Sequence, residues 1–421
     1  MNMEQELMEL AKYSIGTGDR FGRQGPAQLA AVQQACTGGV ELAIAWNKSH
    51  REHQLIKTDP RAQREAAEQA VQALGWQGQY WVDADHIGLE TVDHFLPYCD
   101  FFTLDVADAI GQPAAESDLN AFVDKYRAFS GDLAIPGLPR PLSISFDLLR
   151  HVAEKYLFAT QQAGEIYRHI RHGKGAGSFV AEVSIDETDD PQSPAELLFI
   201  LAALADEHIP LQTIAPKFSG RFNKGVDYRG NVHQFRDEFE ADICVVKYAI
   251  KTFGLPPTLK LSVHSGSDKF SIYRPIRELI RCHDVGLHIK TAGTTWLEEL
   301  LGLAEHGGRG LDLVKQIYAA AYTRSTELCA PYAAVLAIES TALPLPSVVQ
   351  SWSGERFAAA LRHDQTCPEY NPHLRQLLHV GFKIAAEMGA AYLTALDEAA
   401  PRVSQNVTEN LLQRHIRPLF L

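Results

Sequence analysis

A chain of 421 residues, 46% hydrophobic and 22% charged, can build a sizeable core, and its composition excludes wholesale disorder. Its 39 Lys and Arg against 52 Asp and Glu leave a net charge of −13, with no basic stripe to follow a phosphate backbone, so nucleic acid is not an expected partner. No basic segment followed by an apolar one opens the chain, and the most apolar stretch, 330–346, is interrupted by Glu339 and prolines, so neither secretion nor a membrane is expected. The six cysteines are scattered without a C-x-x-C pair and read as buried free thiols of a reducing cytoplasm.

In chain order, β-rich runs alternate with helical segments from about residue 13 to 305, the pattern of repeated βα units around a parallel sheet. The runs are 13–18, 40–46, 80–84 and 101–107, then, after a long gap, 179–185, 211–215, 259–263 and 286–290. Helices are expected between them, as at 26–38, where Pro26 suits a first turn and Gly38 a stop. Eight such units predict an α/β fold, a (β/α)8 TIM-type barrel spanning 10–305. The gap at 108–178 predicts a helical insertion after the fourth strand, with a lid as one role open to it. From 306 to 421 the spacing is helical and predicts a C-terminal extension packed on the barrel.

Alternate side chains of a barrel strand face the interior, so period-2 parity sorts them. In the seventh run Leu259, Leu261 and Val263 face the helices and Lys260, Ser262 and His264 face in. The eighth turns Gly286, His288 and Lys290 inward, and the fifth Val180, Glu182, Ser184 and Asp186. Thr103, Asp105 and Asn47 fall on the inner set. In the third run, "YWVDADHIG", parity groups His86 with Val82 and Ala84, and placing His86 inward leaves Asp83 and Asp85 on the other face.

His86, His264 and His288 would then converge at the C-terminal mouth, where barrel enzymes keep their active sites. Three neutral imidazoles can hold a divalent cation and leave a position open. Zinc, manganese, cobalt and nickel all suit such ligands. Asp85 and Glu182 are the candidate general acid and base; Asp85 could instead orient His86, Glu182 could be a ligand, and Asp83 or Asp186 could replace either. Basic residues follow several strand ends in an otherwise acidic chain: Arg20, Lys217, Arg221 and Lys290, with Lys48, Lys224 and Lys269 beside them. Together with Asn47 they suit a small anionic substrate. "GTGDRFG" has Phe21 where a dinucleotide fingerprint needs its third glycine, and nothing demands a nucleotide.

The blocks "YWVDADHIGLETVD", "AEVSIDE", "PKFSGRFNKGVDYRGN", "SVHSGSDKFSIYRPI", "HIKTAGTTWLEEL" and "NVTENLLQRHIRPLF" resemble the tagaturonate epimerase family. The resemblance implies a cytoplasmic, divalent-metal-dependent isomerase acting on a sugar acid, D-tagaturonate or D-fructuronate, with tagatose and fructose as neutral alternatives. It implies Asp85 as proton acceptor, Glu182 as donor, and His86, His264 and His288 as metal ligands. The stereocentre separating those ketouronates lies one carbon beyond the position α to the ketone, so enolisation alone cannot invert it. Retro-aldol cleavage with re-addition, or direct deprotonation and reprotonation, are the two routes. A metal-dependent barrel aldolase or aldose–ketose isomerase would use the same residues, and a non-catalytic sugar-acid-binding protein is the reading from another class. A homo-oligomer is compatible with the sequence.

Overall fold

The computed structural model describes residues 8–188, 190–291 and 293–421. Its strands are β1 (Tyr13–Thr17), β2 (Leu42–Ser49), β3 (Tyr80–Ile87), β4 (Phe101–Asp105), β5 (Gly131–Leu133), β6 (Leu142–Ile144), β7 (Val180–Ser184), β8 (Thr213–Ala215), β9 (Lys260–His264) and β10 (Leu287–Lys290). Eight close into a parallel barrel in the order β1-β10-β9-β8-β7-β4-β3-β2, each pair of sequential barrel strands joined through helical structure. The other two, β5 and β6, pair antiparallel inside the 108–178 insertion.

Strands β2 and β3 run beyond their predicted ends at 46 and 84. Their ladder continues through Asn47↔Asp83 to Ser49↔Asp85, so the acidic "DADH" lies in strand where the end of a strand was expected. Inside the barrel the lower half is apolar. Ala43, Ala45, Trp81, Phe101 and Val180 cluster with Leu10 and Ala11 from the N-terminal segment. Lys260 closes that end by donating to the Leu10 and Ala11 carbonyls at 3.0 and 2.6 Å. An apolar floor thus lies under a polar mouth, with the Lys260 ammonium tied to backbone carbonyls at its base.

In the insertion, the 29-residue helix Phe146–Lys174 is the crossover between β4 and β7, packing on the following helix Pro194–Asp206. The shorter helix Glu116–Tyr126 packs on its flank, where Tyr126 donates to Asp206 at 2.9 Å. These contacts give the segment a place in the helical layer.

Two buried cores redraw the boundary expected at 305. The helix Thr294–His306 carries Trp296, Leu297, Leu300 and Leu301 into a second core shared with the C-terminal helices. Conversely Leu411, Leu412, Ile416, Leu419 and Phe420 join the barrel core, and the Phe420 ring packs at a tilt on Tyr13 with ring centroids 5.1 Å apart. The end of the chain covers the strand seam that the helix after β10 leaves. Among the cysteines, Cys99 and Cys244 are buried as expected, but Cys282 is exposed and the other three are half-buried. Among the described residues no single helix is long and apolar enough to cross a membrane.

Candidate active site

The mouth of the barrel is organised around one buried ammonium. Lys290, the last residue of β10, has its Nζ 2.8 Å from Asp83 Oδ2 and 2.9 Å from both Asp85 Oδ1 and Glu182 Oε1. It reaches Thr103 Oγ1 as well. The adjoining strand makes room for it with Gly16, where a Cβ would stand 2.9 Å from Lys290 Cγ. Glu182 is held further by Thr213, whose hydroxyl donates to Oε2 at 2.7 Å. A buried ammonium without partners would cost several kcal/mol or more, and the three carboxylates compensate it.

Three carboxylates around one lysine do not behave alike. Burial pushes the Asp83 carboxyl up, beyond what the pull of Lys290 restores. Burial acts against the charged form of Asp85 too, but Lys290 and His86 outweigh it and hold the group down at about 2. The Glu182 carboxyl is likewise buried, yet Lys290 and His264 hold it well below the usual range. Asp85 is therefore ready as a base. Glu182 is a carboxylate in this state and becomes a donor only after accepting a proton, whereas Asp83 most readily carries one.

His86 reaches the mouth by a different path from the expected one. Val82, Ala84 and Ile87 are buried in the core between barrel and helices, while Asp83 and Asp85 face inward, the reverse of the facing parity required for an inward His86. The ladder between β3 and β4 shifts register between Ala84 and Ile87, and His86 takes a left-handed φ of +50°. That bulge turns its ring inward. Non-glycine residues pay for such a conformation, and it recurs at functional sites.

Ligand atoms of His86, Asp186 and His264 lie within 4.8 Å of one another. The His86 and His264 rings are 5.3 Å apart between centroids. His264 Nε2 is 2.9 Å from Glu182 Oε1, and its buried Nδ1 is 3.3 Å from Asp186 Oδ1. Asp105 Oδ2 pairs with His86 Nδ1 at 3.0 Å. Burial disfavours both imidazolium forms, but Asp85, Asp105 and Asp186 push His86 up to about 10, and Asp186 and Glu182 push His264 up to about 9. Two imidazoles and one carboxylate, each offering a ligand atom to a common space, form a donor set that fits a divalent cation of borderline softness.

His288 is not brought into that group. The ladder pairs Lys290 with His264 and His288 with Ser262, which sets His288 one inward layer deeper, about 7 Å along the strand. Its Nδ1 is 2.8 Å from Ser14 Oγ, its ring lies 5.3 Å from Phe101, and its Nε2 is unpartnered among the described residues. Burial pushes it down to about 3, so it is a neutral imidazole. Parity gave the face correctly and could not give the depth.

Of the expected substrate contacts, Lys290 is at the centre, and Arg20 and Asn47 are buried, with Arg20 Nη1 and Asn47 Oδ1 unpartnered among the described residues. Lys217 is half-buried on the loop after β8, its backbone N–H held by Gln192 at 2.8 Å. Arg221 is exposed in a backbone bridge with Arg229, away from the buried group. His379, from the helix Pro372–Val380, was not singled out by sequence; it is buried, with both ring nitrogens unpartnered among the described residues. No strand parity applies to a residue delivered by the extension.

Comparison with known proteins gives this arrangement a family. A family model for tagaturonate epimerase matches residues 3–388. Tagaturonate/fructuronate epimerase of Thermotoga maritima is 30% identical over 296 residues, covering 68% of this chain and 58% of that protein's length. Crystal structures of fructuronate-tagaturonate epimerase from Cohnella laeviribosi share the fold at 24% identity. The complex with one glycerol has a TM-score of 0.80 and the native structure 0.78, each covering 98% of this chain and 82% of the other. The chain belongs to the tagaturonate epimerase family.

Proposed function

We propose that this protein is an isomerase interconverting D-tagaturonate and D-fructuronate, with one divalent cation held by His86, Asp186 and His264. The observation that carries the reading is the ionised Asp85 beside Lys290 and Glu182, set next to a three-ligand donor group in a family of such epimerases. A cation there supplies Lewis-acid stabilisation of the substrate's developing oxyanion. Asp186 takes the part expected of His288.

The chain's own residues support the retro-aldol route. The Asp85 carboxylate accepts the proton of the hydroxyl on the stereocentre; the carbon–carbon bond to the α-carbon breaks, leaving an aldehyde on one half and an enediolate on the other. Rotation of the aldehyde presents its opposite face. Re-addition forms the same bond, and Asp85 returns the proton to the new alkoxide. The hydrogen on the inverted carbon never leaves it. Lys290 keeps Asp85 anionic between turnovers, and the apolar floor of Trp81, Phe101 and Val180 keeps water from below.

The test is conversion of D-fructuronate followed by NMR in deuterated water. Tagaturonate free of deuterium at the inverted carbon supports both activity and route. Deuterium at that carbon would replace the route by deprotonation and reprotonation, and cleavage products or a migrated carbonyl would replace the activity by that of an aldolase or an aldose–ketose isomerase.

A further inference from the structure

A second group of polar side chains sits at the same mouth, apart from the Lys290 lattice, and it is cationic: Arg20, Lys48 and His379 are buried, Lys224 is half-buried and Arg51 is exposed. Arg20 follows β1 and pairs with Glu52 at 3.0 Å, its guanidinium lying 4.2 Å over the Phe382 ring, yet Nη1 has no partner among the described residues. Lys48, next to last in β2, donates to the Arg20 carbonyl at 3.1 Å. Lys224, in the loop after β8, stands 5.1 Å over the Tyr332 ring, which Arg51 covers at 4.9 Å. Of these four cations, only Arg20 has a carboxylate partner among the described residues.

The group is braced. Around Lys224, the Asn223 carbonyl accepts from Lys269 Nζ at 3.0 Å, the Lys224 N–H donates to the Val335 carbonyl at 2.9 Å, and the Gly225 carbonyl accepts from Arg375 Nε at 2.6 Å. Gly225 has φ +77°, and a Cβ there would crowd the His379 Cβ at 3.3 Å. The His379 ring fills the space beside Gly293, where a Cβ would collide with Nε2. Burial, then the field of Arg20 and Lys224, holds that imidazole neutral. It therefore keeps one N–H donor, which no described residue accepts. Donors held rigidly, buried and left unsatisfied are expected where a ligand supplies the acceptor.

We propose that Arg20, Lys224 and His379 form the subsite for the carboxylate of the sugar acid, so that the C-terminal extension makes the site select acids over the corresponding alcohols. This rests on the epimerase reading above. Gly293, against which the His379 ring packs, lies three residues after Lys290, and Lys48 beside Arg20 pairs in register with Ala84 next to Asp85, so the subsite adjoins the mouth of the barrel. In the retro-aldol route the carboxylate belongs to the aldehyde half. Holding that end tethers the fragment while it rotates about its remaining carbon–carbon bond.

The experiment is calorimetric titration of the metal-loaded full chain with D-mannonate and D-mannitol, which are the keto-reduced fructuronate skeleton with and without the carboxylate. The wild-type chain should bind mannonate about tenfold more tightly than mannitol, the effect of one charge-assisted contact. Lys224→Met and His379→Phe should each bring the two affinities close together by weakening mannonate alone, and Lys224→Arg should keep the preference. Equal affinities in the wild type, no mannonate binding, an unchanged preference in both variants, or a parallel loss for mannitol would overturn the subsite. A preference that behaves as expected in a protein unable to convert fructuronate would leave the subsite standing and refute the epimerase reading instead.

Discussion

Asp105 Oδ2 holds His86 Nδ1 at 3.0 Å, and the backbone of His86 adopts φ +50° to make that possible. The pairing leaves Nε2 of the same ring for a cation and fixes the tautomer that can bind it. Asp105→Ala should therefore weaken divalent-metal affinity by about 10–100-fold without unfolding the chain. Metal titration of the apoprotein reads this directly; unaltered affinity would mean that the bulge alone orients His86.

Asp85 is anionic because Lys290 lies 2.9 Å away. Asp85→Asn should lower kcat by about 10²–10⁴-fold with little change in KM, the behaviour of a group acting in the transition state. Steady-state kinetics with D-fructuronate checks it. A variant that raised KM and kept kcat would make Asp85 a binding residue.

Gly16→Ala places a methyl 2.9 Å from Lys290 Cγ, inside van der Waals contact. The lysine must shift, and with it the carboxylates it holds. A loss of about 1–3 kcal/mol in chemical denaturation is expected, together with reduced turnover. Retained stability and turnover would show that Lys290 has slack the packing does not suggest.

Asp268 joins barrel and extension. It is fully buried, with Oδ2 2.7 Å from Arg375 and 3.0 Å from His363 Nδ1, and Oδ1 3.0 Å from His415 Nε2. Burial acts against its charge, but Arg375 and the two histidines hold the carboxyl well below its ordinary value. A depressed folded pKa contributes stability that is full above the unfolded value and is lost as pH falls below it, from about 4 downward. Asp268→Asn should therefore cost about 3–5 kcal/mol at pH 7 and progressively less below pH 4. Denaturation at pH 7 and pH 3.5 provides the comparison; an equal penalty at both would exclude the ionised pair as its source.

Much of this was legible in the sequence because barrel strands alternate. Parity correctly turned Glu182, His264 and Lys290 inward and Leu261, Val183 and Ile289 outward, since each lies in a regular ladder. It failed on β3, where the bulge after Ala84 breaks the alternation, so that Asp83, Asp85 and His86 all reach the interior. It also could not place His288 in depth, because depth depends on the register of β10 against β9. His379 and Asp268 escaped for a further reason. Their roles arise from packing between the barrel and the C-terminal helices, and local periodicity carries no record of contacts more than a hundred residues apart.

The central claim, a cation shared by His86, Asp186 and His264 that epimerisation requires, is tested most directly by stripping the purified protein with a chelator, reloading it with zinc, manganese, cobalt or nickel, and measuring bound metal and fructuronate turnover together. Close to one ion per chain, with turnover returning in step and both lost in His264→Ala, is the expected result. Full turnover in stripped protein, or undiminished metal binding in His264→Ala, would contradict it.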